Sequence, residues 1–209
     1  MNPASIKVLL REARWLDERS SSGSADCLLP AFVSSWVAWE ALRTRFVRVV
    51  IHGLGWSMKD ADVVLARAKI SSMKSAENVI RDLGLRSPHH WPRSSSKAWK
   101  LLCGIEPLRH RLVHGFKAID PARMKVATSL LLLLVENHDW LESVPLVDAK
   151  RQQDRILVGS LLSPRQVHPR VGQRSLNELA AVLGLDLSQS TKRLPSLEQL
   201  NSAVESYGI

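Results

Sequence analysis

Cysteine, tyrosine, acidic residues and long apolar runs are all scarce in this chain, and each scarcity excludes something. Two cysteines in 209 residues, Cys27 and Cys103, match neither a disulfide framework nor zinc-ligand spacing, which fits a reducing compartment. The longest apolar run, Leu130 to Val135, is far too short to cross a bilayer, so no membrane association is expected. The opening residues, Met-Asn-Pro-Ala-Ser-Ile-Lys, lack the basic segment, apolar run and small-residue cleavage site of a secretory signal, and a cytoplasmic location is expected. No G-x-x-x-x-G-K phosphate loop occurs. Glu136, His138 and Asp139 have no second cluster at ligand spacing, so neither a metal nor another cofactor is expected. No internal repeat is found.

What is present suits a packed, basic domain. Hydrophobic residues make up 45% of the chain, enough for a sizeable core. Lys and Arg number 29 against 20 Asp and Glu, a formal net charge of +9 at pH 7. The excess is local: the stretch from Arg86 to Lys125 holds nine Lys/Arg and only two acids, Glu106 and Asp120. A basic stretch of this kind captures polyanions, or docks an acidic protein partner, or forms a solvated face.

Periodicity points to helices throughout. Ile6 to about Ser20 reads as a short amphipathic helix, ended by Ser20-Ser21-Ser22-Gly23-Ser24. Pro30 opens a longer one in which Phe32, Trp36, Trp39, Phe46 and Val50 follow three- and four-residue steps up to Gly53, an aromatic stripe of core type. Asp60 to Leu83 gives a third helix with a break near Ser71-Ser72, closed by Gly84. Arg86 to Ser96, rich in Pro and Ser, reads as a polar loop, in which His89, His90 and Trp91 offer faces for stacking bases or a Trp for the core. Lys97 starts the next helix, with an interruption expected at Gly104 and a restart at Pro107. Asp120-Pro121 reads as N-cap and first residue of a last long helix reaching Trp140 or Leu141, apolar over most of its surface. Beyond it the texture is mixed, with Ile156 to Val158 a strand or helical turn and capping boxes at Ser175/Glu178 and Ser196/Gln199. A helix-turn-helix is not expected there, because Pro195 leaves its second helix too short for a major groove. The organisation read from this is residues 1–29 as an N-terminal helix and linker, 30–142 as a helical bundle and 143–209 as a C-terminal appendage.

The segment that carries chemistry is Arg109-His110-Arg111-Leu112-Val113-His114-Gly115, with two arginines and two histidines in six positions. On a helix His110 and His114 share a face, and Arg109 and His114 lie about 140° apart. Histidine exchanges protons near neutrality, and the planar arginine fork matches phosphate oxygens and stabilises charge developing on them. RNA brings its own nucleophile, the 2′-hydroxyl, so neither a metal nor a protein nucleophile is needed. Cations at a helix C-terminus are also favoured by the macrodipole alone.

This segment resembles the signature of the HEPN family: an Arg, a polar residue, then a His four to six residues on, often as R-N-x-x-V-H-G. Arg109, His110, Val113, His114 and Gly115 fit it, and the likeness extends over residues 30–142, where an early helix with Trp36, Glu40 and Phe46 and a long helix after the motif match the family's plan. The resemblance implies an all-α fold, an antiparallel helical bundle of HEPN type, here with a mixed C-terminal appendage. It also implies metal-independent RNA cleavage in a defence or toxin–antitoxin setting, by a homodimer whose two motifs form one composite site. Arg109 would polarise the scissile phosphate, His114 would act as general acid or base, and His110 would assist. Arg111, Lys117, Arg93, Lys97 and Lys100 would contact RNA, and Glu40, on a neighbouring helix, is a candidate to orient an Arg or His, against the plainer reading of a surface ion pair. An antitoxin or other defence-system protein is an implied partner. Family toxins silenced by adenylylation carry a Tyr two residues after the His; Phe116 stands there, and the only tyrosine is Tyr207, so that route is not expected. The family also contains non-catalytic modules that bind RNA, nucleotide or protein, and subunits that build assemblies.

Overall fold

A computed structural model describes residues 3–68, 70–113, 115, 119–144, 161–162, 174–188 and 195–206. Among these there are helices and turns but no strand. In chain order the helices are α1 (Pro3–Ser21), α2 (Leu28–Gly53), α3 (Met58–Leu65), α4 (Met73–Asp82), α5 (Arg93–Val113), α6 (Pro121–Glu136), α7 (Asp139–Glu142), α8 (Leu176–Val182) and α9 (Leu197–Ser206).

α2 is the centre of the bundle, because it is apolar on nearly every side. From Ala38 to His52 all but Glu40, Thr44 and Arg48 are buried. α1 packs back along it after the short connection through Cys27, burying Ile6, Leu10, Ala13 and Leu16 in the same core. α6 lies against α2 on its Met124, Ala127, Thr128, Leu131 and Val135 edge. The apolar run of α6 points to a helix central in the bundle or buried in a dimer contact; within the chain Val126 and Leu133 stay open. An ion pair from Arg14 to Glu136 ties α1 to the end of α6.

Aromatic rings join α2 to α5 and α7. Trp39 lies 5.6 Å from Trp140 and 6.1 Å from Trp99; Trp91 lies 5.4 Å from Trp99 and 5.7 Å from Phe46. Tilted and edge-on pairs of this kind each add ~0.5–1.5 kcal/mol beyond the area they bury. Trp91 therefore belongs to the core, its indole N–H donating to the Arg86 carbonyl at 2.9 Å, and offers no face for base stacking.

Local signals set the helix ends. The Asp120 carboxylate accepts from the Ala122 N–H at 3.0 Å, with Pro121 in the first turn, as the sequence predicts. Ser72 and Ser75 form a reciprocal capping box that starts α4. The break expected near Ser71-Ser72 falls between α3, which ends at Leu65, and α4, which starts at Met73. α5 differs from expectation. It begins at Arg93 rather than Lys97 and runs unbroken through Gly104 and Pro107. Ser95 and Ser96 enter its first turns because their hydroxyls find partners in the fold, the Trp140 and His89 carbonyls.

Part of the chain after α7 returns to the same core. Leu161, Leu162 and Leu179 are buried; the Leu161 N–H donates to Glu142 at 2.7 Å, and Arg45 donates to the Leu161 carbonyl. Arg174 stacks on Trp56 with its guanidinium carbon 3.6 Å from the ring centroid. Ser175 caps α8, accepting from the Glu178 N–H at 3.2 Å, but the Glu178 carboxylate turns to Arg174, so only half of the expected capping box forms. Residues 156–158, read as a strand or helical turn, lie outside the described residues.

Candidate functional site

The site is built on α5, whose faces carry different chemistry. At 100° per residue Ala98, Leu102, Ile105 and Arg109 fall on one side, within about 60° of one another. The first three are buried core residues. Arg109 continues the same line one turn before the helix ends, where an apolar residue would extend the core, and it is met there by Glu40 of α2. Arg109 Nη2 stands 3.4 Å from Glu40 Oε1, and the side chains are 26% and 28% exposed. The Trp36 indole N–H, one turn back on α2, donates to the same Glu40 oxygen at 2.8 Å. Glu40 is therefore fixed from two directions and holds Arg109 in turn.

Two more charged groups surround this pair. Arg43 is almost wholly buried one turn beyond Trp39, its guanidinium 5.9 Å from that ring; it donates to the Ile70 carbonyl and touches the Met73 sulfur at 3.3 Å. Burial pushes its pKa below the ordinary arginine value, with Glu40 and Glu106 working against that and Arg109 adding to it. Glu106 accepts from the Met73 N–H at 2.8 Å and so anchors the start of α4 to α5. The Cys103 thiol nearby is pushed up to about 11, by burial first and then by Glu106 and Glu77, which leaves it a poor nucleophile at neutral pH.

The other predicted residues divide. Arg93, Lys97, Lys100 and Arg111 are exposed and fall on one stripe of α5, within about 60° of arc, while Arg109 lies about 160° from Arg93. The structure thus unites Arg109 with Glu40 and unites the four cations of the stripe, but sets the two groups on different sides of the helix. His110 is exposed, on neither line. His114 and Lys117 lie outside the described residues; between them Gly115 has φ +65°, and its N–H bonds the Leu112 carbonyl at 3.3 Å, closing α5 in a left-handed turn. Glu136 and His138 are engaged locally: Glu136 pairs with Arg14, and His138 Nε2 lies 3.4 Å from Glu142.

Trp36, Arg43 and Glu106 were not identified from sequence as residues of the site. Trp36 and Glu40 are four apart, the spacing of a helix side-chain pair, and Arg43 interrupts the buried line Trp36, Trp39, Phe46, Val50. A charge on an otherwise apolar face was the available signal. Comparison with known proteins gives no match: no family model, no curated protein and no solved structure corresponds to this chain.

Proposed function

We propose that this chain is a metal-independent endoribonuclease of the HEPN type, acting as a homodimer in a defence or toxin–antitoxin setting. The observation that carries the reading is the ion pair that holds Arg109 at the end of the core face of α5, in the segment that leads to His114. A guanidinium held by a neighbouring carboxylate is pre-oriented to receive a phosphate. In the proposed step His114 takes the 2′-hydroxyl proton and the 2′-oxygen attacks phosphorus. The bond to the 5′-oxygen breaks, that oxygen receives a proton, and a 2′,3′-cyclic phosphate remains. Arg109 stabilises the charge gathering on the phosphate oxygens, His110 assists, and Arg111, Lys117, Arg93, Lys97 and Lys100 contact the RNA backbone. A second copy would bring its own motif to a composite site.

The same ion pair also favours a second reading, a helical module that binds RNA, nucleotide or protein without cleaving it, because Glu40 already answers part of the Arg109 charge.

The test is incubation of the purified protein with total RNA in EDTA, beside His114→Ala and Arg109→Ala. The expected outcome is cleavage by wild type leaving cyclic phosphate ends, reduced ~100-fold or more in either variant. Folded proteins that all fail to cleave favour the binding module. Equal cleavage by all three refutes the assignment of these residues.

A further inference from the structure

α9 is a well-formed helix with none of its residues buried among the described residues. Its N-terminus carries a complete capping box: the Gln199 N–H donates to the Ser196 hydroxyl at 3.1 Å, and the Gln199 side chain accepts from the Ser196 N–H at 2.8 Å. Yet Leu197, Leu200 and Val204 are 74%, 51% and 52% exposed. These three fall within about 60° of arc, a continuous apolar stripe. Glu198 and Glu205 share one flank of it, and the helix contains no Lys or Arg. A ten-residue helix is marginal in water without a partner for its apolar face.

The exposed side of α5 has the complementary character. A cleft of about 560 Å³ is lined by Trp91, Arg93, Ser96, Lys97, Lys100 and Leu101. Leu101 is 36% exposed and supplies an open apolar wall. None of the three cations is held in an ion pair among the described residues. The spacings also agree. Arg93 and Lys100 are seven positions apart on α5, as Glu198 and Glu205 are on α9. At the α-helical rise each pair spans about 10.5 Å, so one helix laid along the other sets both glutamates opposite both cations.

We propose that α9 of a second copy of this chain docks in this cleft, and that reciprocal docking closes a two-fold dimer. The chain's own α9 is not the occupant, since its stripe is open and no residue of it lines the cleft. Every copy carries both the helix and the cleft, so the exchange is self-complementary and closes without leaving a free end. The dimer does not depend on the nuclease reading. One consequence does: α9 and RNA would compete for Arg93, Lys97 and Lys100 while the Arg109 side of α5 stays open.

The test uses the full chain in two charge-reversed forms, Glu198→Lys/Glu205→Lys and Arg93→Glu/Lys100→Glu, with mass in solution measured by analytical ultracentrifugation. Wild type is expected to be a dimer. Each variant alone is expected to dimerise about a hundredfold more weakly, since attraction becomes repulsion at both docked helices. An equimolar mixture of the two variants is expected to recover the dimer, because each helix then meets a cleft of opposite sign; that recovery also shows that both are folded. A monomeric wild type, variants that dimerise as wild type does, or a mixture that stays monomeric would each overturn the proposal. Failure of RNA cleavage leaves these masses unchanged, and variants that dimerise as wild type does overturn this interface alone; a monomeric wild type would remove the composite site as well.

Discussion

Replacing Glu40 by Gln keeps the shape of the side chain and an acceptor for the Trp36 indole, and removes only the charge that faces Arg109. At the observed 3.4 Å, two unit charges attract by about 2 kcal/mol at an effective dielectric of about 40, and by about 1 kcal/mol in bulk water. Both side chains are about a quarter exposed, so the lower part of that range applies, and the ordering of two side chains offsets some of it. The coupling expected between the two charges is therefore about 1 kcal/mol, at the upper end for exposed pairs and below the several kcal/mol lost when a buried pair is broken.

The measurement is a double-mutant cycle of Glu40→Gln and Arg109→Gln, by urea unfolding followed by far-ultraviolet circular dichroism. A pair on the rim of the core keeps a good part of its coupling in 1 M salt, where a fully exposed pair is screened within about 3 Å. A coupling below about 0.3 kcal/mol, or one abolished by salt, would refute the argument that Glu40 fixes Arg109.

Two further outcomes are expected. Gly104 is helical and a Cβ there would meet nothing, so Gly104→Ala should stabilise the protein by about 0.5–1 kcal/mol, read as a rise in Tm; a fall would mean that the turn before Pro107 needs glycine. Burial acts to raise the Glu77 pKa, but the Ser87 hydroxyl, Lys74 and His89 outweigh it and hold the carboxyl below its ordinary value. A folded value below the unfolded one contributes stability in full above about pH 4.3, lost as pH falls through the folded value, so Glu77→Gln should flatten the acid limb of stability against pH. An acid limb identical to that of wild type would refute it.

The helical class was legible because the apolar steps of α1, α2 and α6 are strong and the Asp120-Pro121 start is local chemistry that needs no tertiary partner. The errors in α5 and at Trp91 lie where tertiary contacts overrule local preference, whereas the half-formed box at Ser175 has a local cause, the pairing of Glu178 with Arg174. Ser95 and Ser96 read as breakers, but their hydroxyls are bonded to the Trp140 and His89 carbonyls, and neither acceptor is visible from the run of serines itself. Gly104 and Pro107 read as an interruption, yet α5 is held before them by Trp99 and Leu102 and between them by Ile105 in the core, with Leu108 and Leu112 packed against it beyond. Trp91 read equally as a stacking face or a core residue, and the choice rested on Phe46 and Trp99, which are distant in sequence. Of the candidate site, the pairing of Glu40 with Arg109 was legible as a possibility only, because periodicity assigns faces within a helix and not which helix stands opposite.

That pairing bears on function because it is costly by the standards of a core. Ala98, Leu102 and Ile105 show what α5 places on this line where packing alone decides, and Arg109 breaks the series at the position nearest solvent. α2 does the same with Arg43, set among Trp39, Phe46 and Val50 with its guanidinium Nε unsatisfied. Apolar residues at such positions commonly equal or exceed an ion pair in stability. Two arginines and two glutamates gathered at one end of an otherwise apolar interface are therefore poorly explained by stability. A guanidinium about three-quarters buried, held by Glu40 and one turn from the end of its helix, suits the proposed role of Arg109 in meeting a phosphate, and this support is independent of the family resemblance.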